Sequence, residues 1–355
     1  MAKLRVGVIG AGSWTISSHL PNLAKHADLI EFVAVNRLGR EQLERIRQQY
    51  GFQIASEDYR DVIKAGVDLC VIASPTSLHY EHAKAALEAG AHVLLEKPVT
   101  IDPAQAWELT RIAEYYRRHV VIVFGWNYRP MVREAKRLMS GDGGIGTVEQ
   151  VMIAMSSQTR ELLSNTGVYP DAARDFLPEQ ATWTDPLVSG GGYAQAQLSH
   201  ALGLALWLTG LRGKEVFAFM SAPLNAPVEL HDAIVLRYDN GAIGTLSGGS
   251  AHMGANGNKH QLEVRAIGSQ GQFQIDVDRE NVVRFRAPDQ QTELPVAAGD
   301  GAYSALGPVE TLIELALGHE VENCSPLELG ARTVEILAAA YKSARSGKSE
   351  PVHDF

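Results

Sequence analysis

The first third of the chain alternates short apolar runs with polar stretches of helical period. The apolar runs predict strands at 4–9, 29–35, 68–73, 92–95 and 120–124. The stretches between them predict helices at 40–50, 58–65, 78–89 and 103–118, several of them ended by glycine. Strands that alternate with helices form right-handed crossovers, so residues 1–125 are predicted to form a doubly wound α/β domain with a parallel sheet.

The pattern changes after residue 126. A helix is predicted from about 129 to 139, and strands of alternating polarity at 147–157, 214–221, 230–238, 242–250, 261–267, 272–276 and 282–286. Asp239-Asn240-Gly241 is the clearest hairpin turn among their short connections. With helices at 193–209, 308–317 and 327–346, residues 126–355 predict an α+β domain with a large, mostly antiparallel open sheet. The last helix can pack back on the first domain.

Composition argues against several classes of function. The chain has 355 residues, a net charge of −9 and no Lys/Arg-rich run, which argues against a general nucleic-acid-binding protein. No apolar run could span a bilayer, and the N-terminus lacks a secretory-signal pattern. Cys70 and Cys324 offer no disulfide framework, and His231, His252 and His260 show no metal-ligand spacing, so no metal is expected. A reducing cytoplasm is the expected location.

The first strand runs into a glycine-containing turn, residues 10–15, before a helical stretch. Gly10 allows a tight turn, Gly12 lets the backbone approach a pyrophosphate, and the helix N-terminus supplies N–H groups. Thr15 stands where the third glycine of a dinucleotide fingerprint is usual, and two glycines alone fit any tight turn. The strand before and the helix after favour a dinucleotide. The predicted contacts are Gly10, Gly12, Ser13 and Trp14.

The second strand ends at Asn36-Arg37, where a site that prefers NAD usually has an acid against the ribose hydroxyls. A neutral Asn36 beside Arg37, with Arg40 one turn on, would pair with a 2′-phosphate. This predicts NADP as the preferred cofactor, with NAD as the alternative. Arg37 could also be a surface residue that caps the adenine pocket without discriminating.

The strand at 93–95 ends abruptly in Glu96-Lys97-Pro98. Pro98 cannot donate to a sheet ladder, so Glu96 and Lys97 are expected at the carboxyl edge, where open parallel sheets bind ligands. A partly desolvated lysine beside a cofactor would have a lowered pKa and could exchange protons near neutrality. A solvated Glu-Lys pair before a turn is the alternative.

Another strand delivers its following loop to the same edge. Ser74, Pro75 and Thr76 are therefore predicted to lie along the cofactor, with His79 just inside the next helix. His79 could equally be a capping or packing histidine.

In this order the motifs resemble those of the Gfo/Idh/MocA family of NAD(P)-dependent oxidoreductases, which act mostly on sugars, cyclitols and their derivatives. The resemblance covers nearly the whole chain. It also rests on the runs 124–130 (FGWNYRP), 144–148 (GIGTV) and 190–192 (GGG), the last followed by His200. It implies an N-terminal Rossmann domain, and a homodimer or homotetramer formed through the C-terminal sheet. It further implies Lys97 between nicotinamide and substrate, and His200 as general base.

The chain departs from the family at one place. Regular helical spacing would put Tyr193, Ala196, Gln197 and His200 on one face, and the family normally has an aspartate where Ala196 stands. Without that carboxylate, His200 loses a charge that would raise its pKa. We expect Tyr193 and Gln197 to bind substrate and to replace the acid with neutral hydrogen bonds. A buried core histidine is the alternative for His200.

Substrate specificity is expected in residues 161–189 and around Asn127 and Arg129. The stretch 161–189 shows no sustained period and contains three prolines, which predicts a long loop over the cleft. Trp183 and Tyr169 are candidate walls for a sugar ring, although anchoring of the loop explains them as well.

Three functions are compatible with these residues. The first is hydride transfer between a ring hydroxyl of a sugar, sugar derivative or cyclitol and NAD(P), in which His200 takes the hydroxyl proton and Lys97 polarises the oxygen or relays the proton. The second is a glycoside-cleaving enzyme with a tightly bound, recycled NAD(P). The third is a non-enzymatic dinucleotide-binding sensor.

Overall fold

The computed structural model describes residues 2–140, 143–168, 173–177, 179–286 and 289–352. The chain divides into two compact units. The first comprises Met1–Val123, Pro170–Thr182 and Ala305–Ala331, and the second Phe124–Tyr169, Trp183–Ser304 and Arg332–Phe355. The first unit therefore includes two segments that are distant in sequence from its N-terminal part. The different roles that we predicted for two domains stay a prediction.

The first unit contains a six-stranded parallel sheet. Its strands are β1 (Leu4–Ile9), β2 (Ile30–Asn36), β3 (Ile54–Ser56), β4 (Leu69–Ile72), β5 (His92–Leu95) and β6 (Val120–Ile122). Their order, β3-β2-β1-β4-β5-β6, is that of the Rossmann fold, so the predicted fold class is confirmed. β4 and β6 are buried along their whole length, as expected for strands covered on both faces. The sequence prediction omitted β3, whose three residues show no period.

Helices connect these strands: α1 (Leu20–Ala24), α2 (Arg40–Tyr50), α3 (Tyr59–Lys64), α4 (His79–Glu88) and α5 (Pro103–Tyr116). Local chemistry sets several of their ends. The Asp58 and Asp102 carboxylates cap α3 and α5 by accepting from backbone N–H groups two residues on. Gly51 ends α2 in the left-handed conformation, with φ at 75°.

The second unit contains a nine-stranded mixed sheet. Its strands are β7 (Val148–Ser157), β8 (Gly213–Ser221), β9 (His231–Tyr238), β10 (Ile243–Ser250), β11 (Gln261–Gly268), β12 (Gly271–Asp276), β13 (Asn281–Arg286), β14 (Gln290–Glu293) and β15 (Glu350–Pro351). In the order β14-β13-β12-β11-β7-β10-β9-β8-β15, only β7 and β10 pair in parallel. This confirms the predicted mostly antiparallel sheet.

The remaining helices are α6 (Pro130–Ser140), α7 (Arg160–Leu163), α8 (Ala181–Thr184), α9 (Pro186–Ser189), α10 (Ser199–Thr209), α11 (Leu306–Ala316) and α12 (Leu327–Ser346). Helix α10 is buried from Ser199 to Leu208 and packs on β7 and β11. No helix in the described part of the chain is both long enough and apolar enough to cross a bilayer.

The predicted structureless loop at 161–189 needs correction. The segment includes most of α7, all of α8 and α9, and a helical turn at Arg174–Phe176. These elements are too short to show a period in the sequence, and α9 forms because the Asp185 carboxylate caps the N–H of Leu187. Tyr169, Pro170 and Pro178 lie outside the described residues.

Candidate functional site

The turn after β1 has the geometry of a dinucleotide-binding loop. Gly10 has a φ of 85°, and a Cβ there would lie 2.3 Å from the backbone nitrogen of Ser74, so only glycine fits. At Gly12 a Cβ would meet nothing within 4 Å, which leaves open space beside the backbone. The Thr15 hydroxyl donates to the carbonyl oxygen of Gly10 at 3.0 Å. Thr15 thus braces the turn, whose open side fits the close approach of a pyrophosphate.

The end of β2 is tied to this turn. The N–H groups of Gly10 and Ala11 both donate to the Asn36 carbonyl oxygen, at 3.1 and 3.0 Å. The half-buried Arg37 guanidinium donates to the carbonyl oxygens of Ala11 (3.2 Å) and Leu38 (2.9 Å). Among the described residues no carboxylate pairs with Arg37, and burial lowers its pKa. Within the described part of the chain, this positive charge at the carboxyl edge of the sheet is therefore not balanced by a carboxylate in contact with it.

Two histidines hold the loop that follows β4. The ring nitrogens of His79 lie 2.8 Å from the carbonyl oxygens of Pro98 and Ser74. The Nδ1 atom of His82 lies 2.9 Å from the Ser74 hydroxyl. Burial lowers the pKa of His79 in spite of its backbone bonds, and lowers that of His82 to about 4. His79 therefore ties the two loops together, and its predicted contact with a cofactor stays a prediction.

Glu96 and Lys97 stand at the end of β5, where Glu96 is buried and Lys97 is half-buried. One Glu96 carboxylate oxygen lies 2.8 Å from Nε2 of the fully buried His19, and the other accepts from the Lys97 N–H at 3.0 Å. Burial alone would raise the pKa of Glu96, but His19 and Lys97 outweigh it, so this pKa is lowered. Burial also lowers the pKa of Lys97, against the opposing effect of Glu96. The alternative of a solvated Glu-Lys pair is wrong for Glu96, which is 8% exposed.

His200 lies in a box of aromatic rings within the second unit. Its ring centroid is 5.3 Å from those of Trp126 and Tyr303 and 6.0 Å from that of Phe124, all in edge-to-face geometry. His200 is 6% exposed. A Cβ at Gly203, one turn on, would lie 2.9 Å from the Phe124 ring, so glycine allows this packing.

The helix that carries His200 does not begin as predicted. Ala194–Leu198 form a π-helical turn, in which the Ser199 N–H donates to the carbonyl oxygen of Ala194, five residues back. The wider turn changes the residue spacing, so the prediction that Tyr193, Ala196, Gln197 and His200 share one face is wrong. Such π-turns often occur at functional sites.

Tyr193 and Gln197 nevertheless meet at one hydroxyl, that of Ser157. The Tyr193 hydroxyl donates to the Met155 carbonyl oxygen (3.2 Å) and lies 2.9 Å from the Ser157 Oγ. Ser157 in turn donates to Oε1 of Gln197 at 3.3 Å. Tyr193 is fully buried, which raises its pKa. Neutral hydrogen bonds thus link the start of this helix to β7.

Two buried acids that the sequence analysis missed lie beside this helix start. The Glu229 carboxylate accepts from the N–H groups of Gly192 (2.9 Å) and Ala194 (3.1 Å) and from the Tyr341 hydroxyl (2.5 Å). Asp232 is 3% exposed, and neither of its oxygens has a hydrogen-bond partner among the described residues. Burial and the charge of Glu229 raise the pKa of Asp232 to about 8.

The predicted substrate residues have varied surroundings. Asn127 is fully buried in the turn Gly125–Tyr128, and Trp183 is half-buried in α8. Arg129 donates to the carbonyl oxygens of Gly299 and Asp300, both at 2.9 Å, and forms an ion pair with the Asp300 carboxylate at 3.1 Å. Arg129 therefore holds this turn, and the contacts of all three with substrate stay predictions.

Sequence spacing alone could not have found most of the additional residues. His82 follows His79 by one helical turn, which was a usable signal. His19 and Glu229 are separated from their partners by 77 and at least 35 residues, so no local pattern reveals them. In the described residues no group of three or more His, Cys, Asp or Glu side chains could hold a metal ion.

The 3-2-1-4-5-6 parallel sheet, the open glycine turn and the polar residues at its carboxyl edge define a dinucleotide-binding α/β protein. Comparison with known families agrees. The profile of the oxidoreductase family with an NAD-binding Rossmann fold matches residues 4–124, and that of the GFO/IDH/MocA C-terminal domain matches residues 132–274. The chain belongs to this oxidoreductase family.

Individual relatives share only a modest sequence identity with this chain. The uncharacterized oxidoreductase YfiI of Bacillus subtilis is 27% identical over 237 residues, which cover 65% of this chain but only 56% of that protein. The myo-inositol 2-dehydrogenase of Thermotoga maritima is 27% identical over 289 residues, 79% of this chain and 77% of the relative. A solved levoglucosan dehydrogenase, in complex with NADH and levoglucosan, has a TM-score of 0.80 at 20% identity, covers 99% of this chain and is itself covered completely. This last likeness establishes the fold.

Proposed function

We propose that the protein is a dehydrogenase that transfers a hydride between NAD(P) and a ring hydroxyl of a sugar, sugar derivative or cyclitol. The observation that carries the proposal is the position of the buried Glu96 carboxylate and the half-buried Lys97, joined through the Lys97 backbone N–H, at the carboxyl edge of a dinucleotide-binding sheet. The name of the Thermotoga relative, myo-inositol 2-dehydrogenase, supports a cyclic polyol as substrate.

The first unit would hold the cofactor. The open backbone at Gly12 and the neighbouring Gly10, Ser13 and Trp14 would bind its pyrophosphate, and the loop Ser74–Thr76 would lie along it. When bound, its nicotinamide accepts or supplies the hydride. The Glu96 carboxylate is held by His19 and accepts a hydrogen bond from the backbone N–H of Lys97. It therefore keeps the Lys97 backbone in place.

Lys97 and His200 would handle the proton of the reacting hydroxyl. Because burial lowers the pKa of Lys97, its ammonium can polarise the oxygen and also release a proton more readily than a solvated lysine. His200 would accept the hydroxyl proton. Its aromatic surroundings keep the ring orientation fixed without the aspartate that the family normally has.

NADP is the proposed preference because Arg37 carries a charge that no described carboxylate balances. One competing observation favours NAD. The Glu57 carboxylate, just after β3, accepts from the Gly39 N–H at 2.8 Å and could meet ribose hydroxyls. Arg37→Gln should weaken NADPH binding more than NADH binding, and Glu57→Gln should do the reverse. Weaker NADH binding in Arg37→Gln with unchanged NADPH binding would contradict the preference.

The outer face of the nine-stranded sheet would form a homo-oligomer interface. Phe219, Val235 and Ile243 lie on the adjacent strands β8, β9 and β10 and are 68%, 53% and 52% exposed. An apolar patch of this kind on a sheet is usually covered by a partner. Val235→Asp should dissociate the oligomer, as measured by light scattering. A wild-type monomer at micromolar concentration would contradict this assembly.

A cytoplasmic location also stays a prediction.

The decisive experiment is a panel of polyols, sugars and glycosides with NAD and NADP, followed by nicotinamide absorbance. Turnover of a free cyclic polyol or sugar with added cofactor supports the proposal. Glycoside cleavage by protein that retains its cofactor through purification would favour the glycoside-cleaving alternative. Cofactor binding with no turnover on any compound would favour the sensor.

A further inference from the structure

A segment from far along the chain lies on the nucleotide-binding loops of the first unit. The N–H of Ala173 donates to the Ser13 hydroxyl at 2.9 Å. Two residues on, the Asp175 carboxylate pairs with Arg45 of α2 at 3.1 Å. We call residues 173–177 the clasp. Its contacts join the glycine turn after β1 to the helix after β2, the two elements that flank the predicted adenosine end of a dinucleotide.

The centre of the clasp is an aromatic ring that faces two cations. Phe176 is 8% exposed, and the guanidinium carbons of Arg37 and Arg45 each lie 5.4 Å from its ring centroid. An aromatic face attracts a guanidinium but carries no net charge. The ring therefore contacts two arginines that come from separate elements.

The charges of this cluster do not balance. Asp175 pairs with Arg45, whereas Arg37 bonds only to carbonyl oxygens within the described chain. Among the described residues that contact one another here, two guanidinium groups and one carboxylate carry a net positive charge beside the end of β2. Since an open parallel sheet binds the ribose of a dinucleotide there, a group with two negative charges on that ribose would complete the site.

We propose that Phe176 is a positioning residue that holds Arg37 and Arg45 as a receptor for the 2′-phosphate of NADP, and that the clasp slows release of this cofactor. The inference rests on the cofactor preference proposed above and adds the element that creates it. The competing explanation is that Phe176 only packs the clasp against α2.

The test compares Phe176→Ala, Phe176→Tyr and the control Leu187→Ala, whose side chain in α9 is 83% exposed. Binding of NADPH and NADH is measured by nicotinamide fluorescence, and dissociation by stopped flow. Loss of the two cation–π contacts should weaken NADPH binding about fivefold, mainly through faster dissociation, and NADH binding by less than about twofold. Phe176→Tyr and Leu187→Ala should behave like wild type.

A merely structural ring would weaken both cofactors equally in Phe176→Ala, and that result would overturn the proposal. Unchanged or tighter NADPH binding would overturn it as well. Since Phe176→Ala could also loosen the fold, Arg45→Gln gives a second reading and should weaken NADPH selectively. These measurements need no substrate. If the protein turns over no compound of the polyol panel but shows these binding changes, the proposed role of the clasp is supported and only the proposed reaction is contradicted.

Discussion

One buried carboxyl group of the first unit, Glu96, and one of the second, Asp232, have opposite surroundings. In the first unit, Glu96 is balanced by His19 and Lys97, and its pKa is lowered. In the second, Asp232 has no described hydrogen-bond partner, and burial raises its pKa to about 8. The first unit therefore keeps fixed charges at its carboxyl edge, where an anionic cofactor would bind. In the second unit, burial instead favours the protonated form of Asp232.

The proposed catalytic residues differ in the same way. Lys97 adjoins a paired carboxylate, whereas His200 is surrounded by the aromatic rings of Phe124, Trp126 and Tyr303. This contrast can be tested one residue at a time.

The largest effect is expected from Lys97→Met, which removes the charge and keeps an unbranched side chain of similar length. Turnover should fall roughly a thousandfold, because both polarisation and proton relay are lost. Cofactor affinity, measured by fluorescence, should change little. Lys64→Met, at a side chain that is 71% exposed, is the control. Substantial remaining turnover would exclude Lys97 from the mechanism.

His200→Asn should lower turnover roughly a hundredfold, since a weak acceptor replaces the general base. His252→Asn is the matched control, because that side chain is 73% exposed. If Lys97 and His200 act on one proton, the double variant should lose much less than the product of the two single losses. Independent, multiplicative losses would contradict a shared step.

Asp232→Asn should change the pH dependence of stability. The folded pKa is about 8, above the unfolded value, so the folded state holds this proton more tightly and wild-type stability falls as pH rises from about 4 to 8. The variant lacks this loss and should gain roughly 4 kcal/mol relative to wild type between pH 5 and pH 8. Urea unfolding at the two values measures the difference. The exposed Asp239→Asn should show no such gain.

Glu96→Gln should show the smaller effect, with the opposite sign. Because the folded pKa of Glu96 is lowered, its contribution is present above the unfolded pKa and is lost as pH falls through the folded value. Wild type should therefore lose about 1 kcal/mol more than the variant on acidification below about pH 4.5. A variant that loses stability as steeply as wild type would show that the lowered pKa of Glu96 contributes nothing to the free energy of unfolding.

Much of the fold could be predicted because local patterns carry it. The strands of the first unit are short, apolar and punctuated by glycine, and α2 was predicted with its observed bounds. The prediction of secondary structure failed where the helical periodicity of the sequence is interrupted or too short to detect. The π-turn before His200 shifts the helical spacing, and 161–189 forms helices of only a few residues.

Local patterns along the chain specify the doubly wound sheet, the glycine turn and the position of Lys97 at the end of β5, because each depends on residues that are close in sequence. The contacts of these residues, by contrast, follow from the folded chain. It placed His19 against Glu96, Glu229 at the start of the His200 helix, and Phe176 against two arginines. Such contacts join residues that are distant in sequence, and burial then sets their charge, which no local pattern encodes.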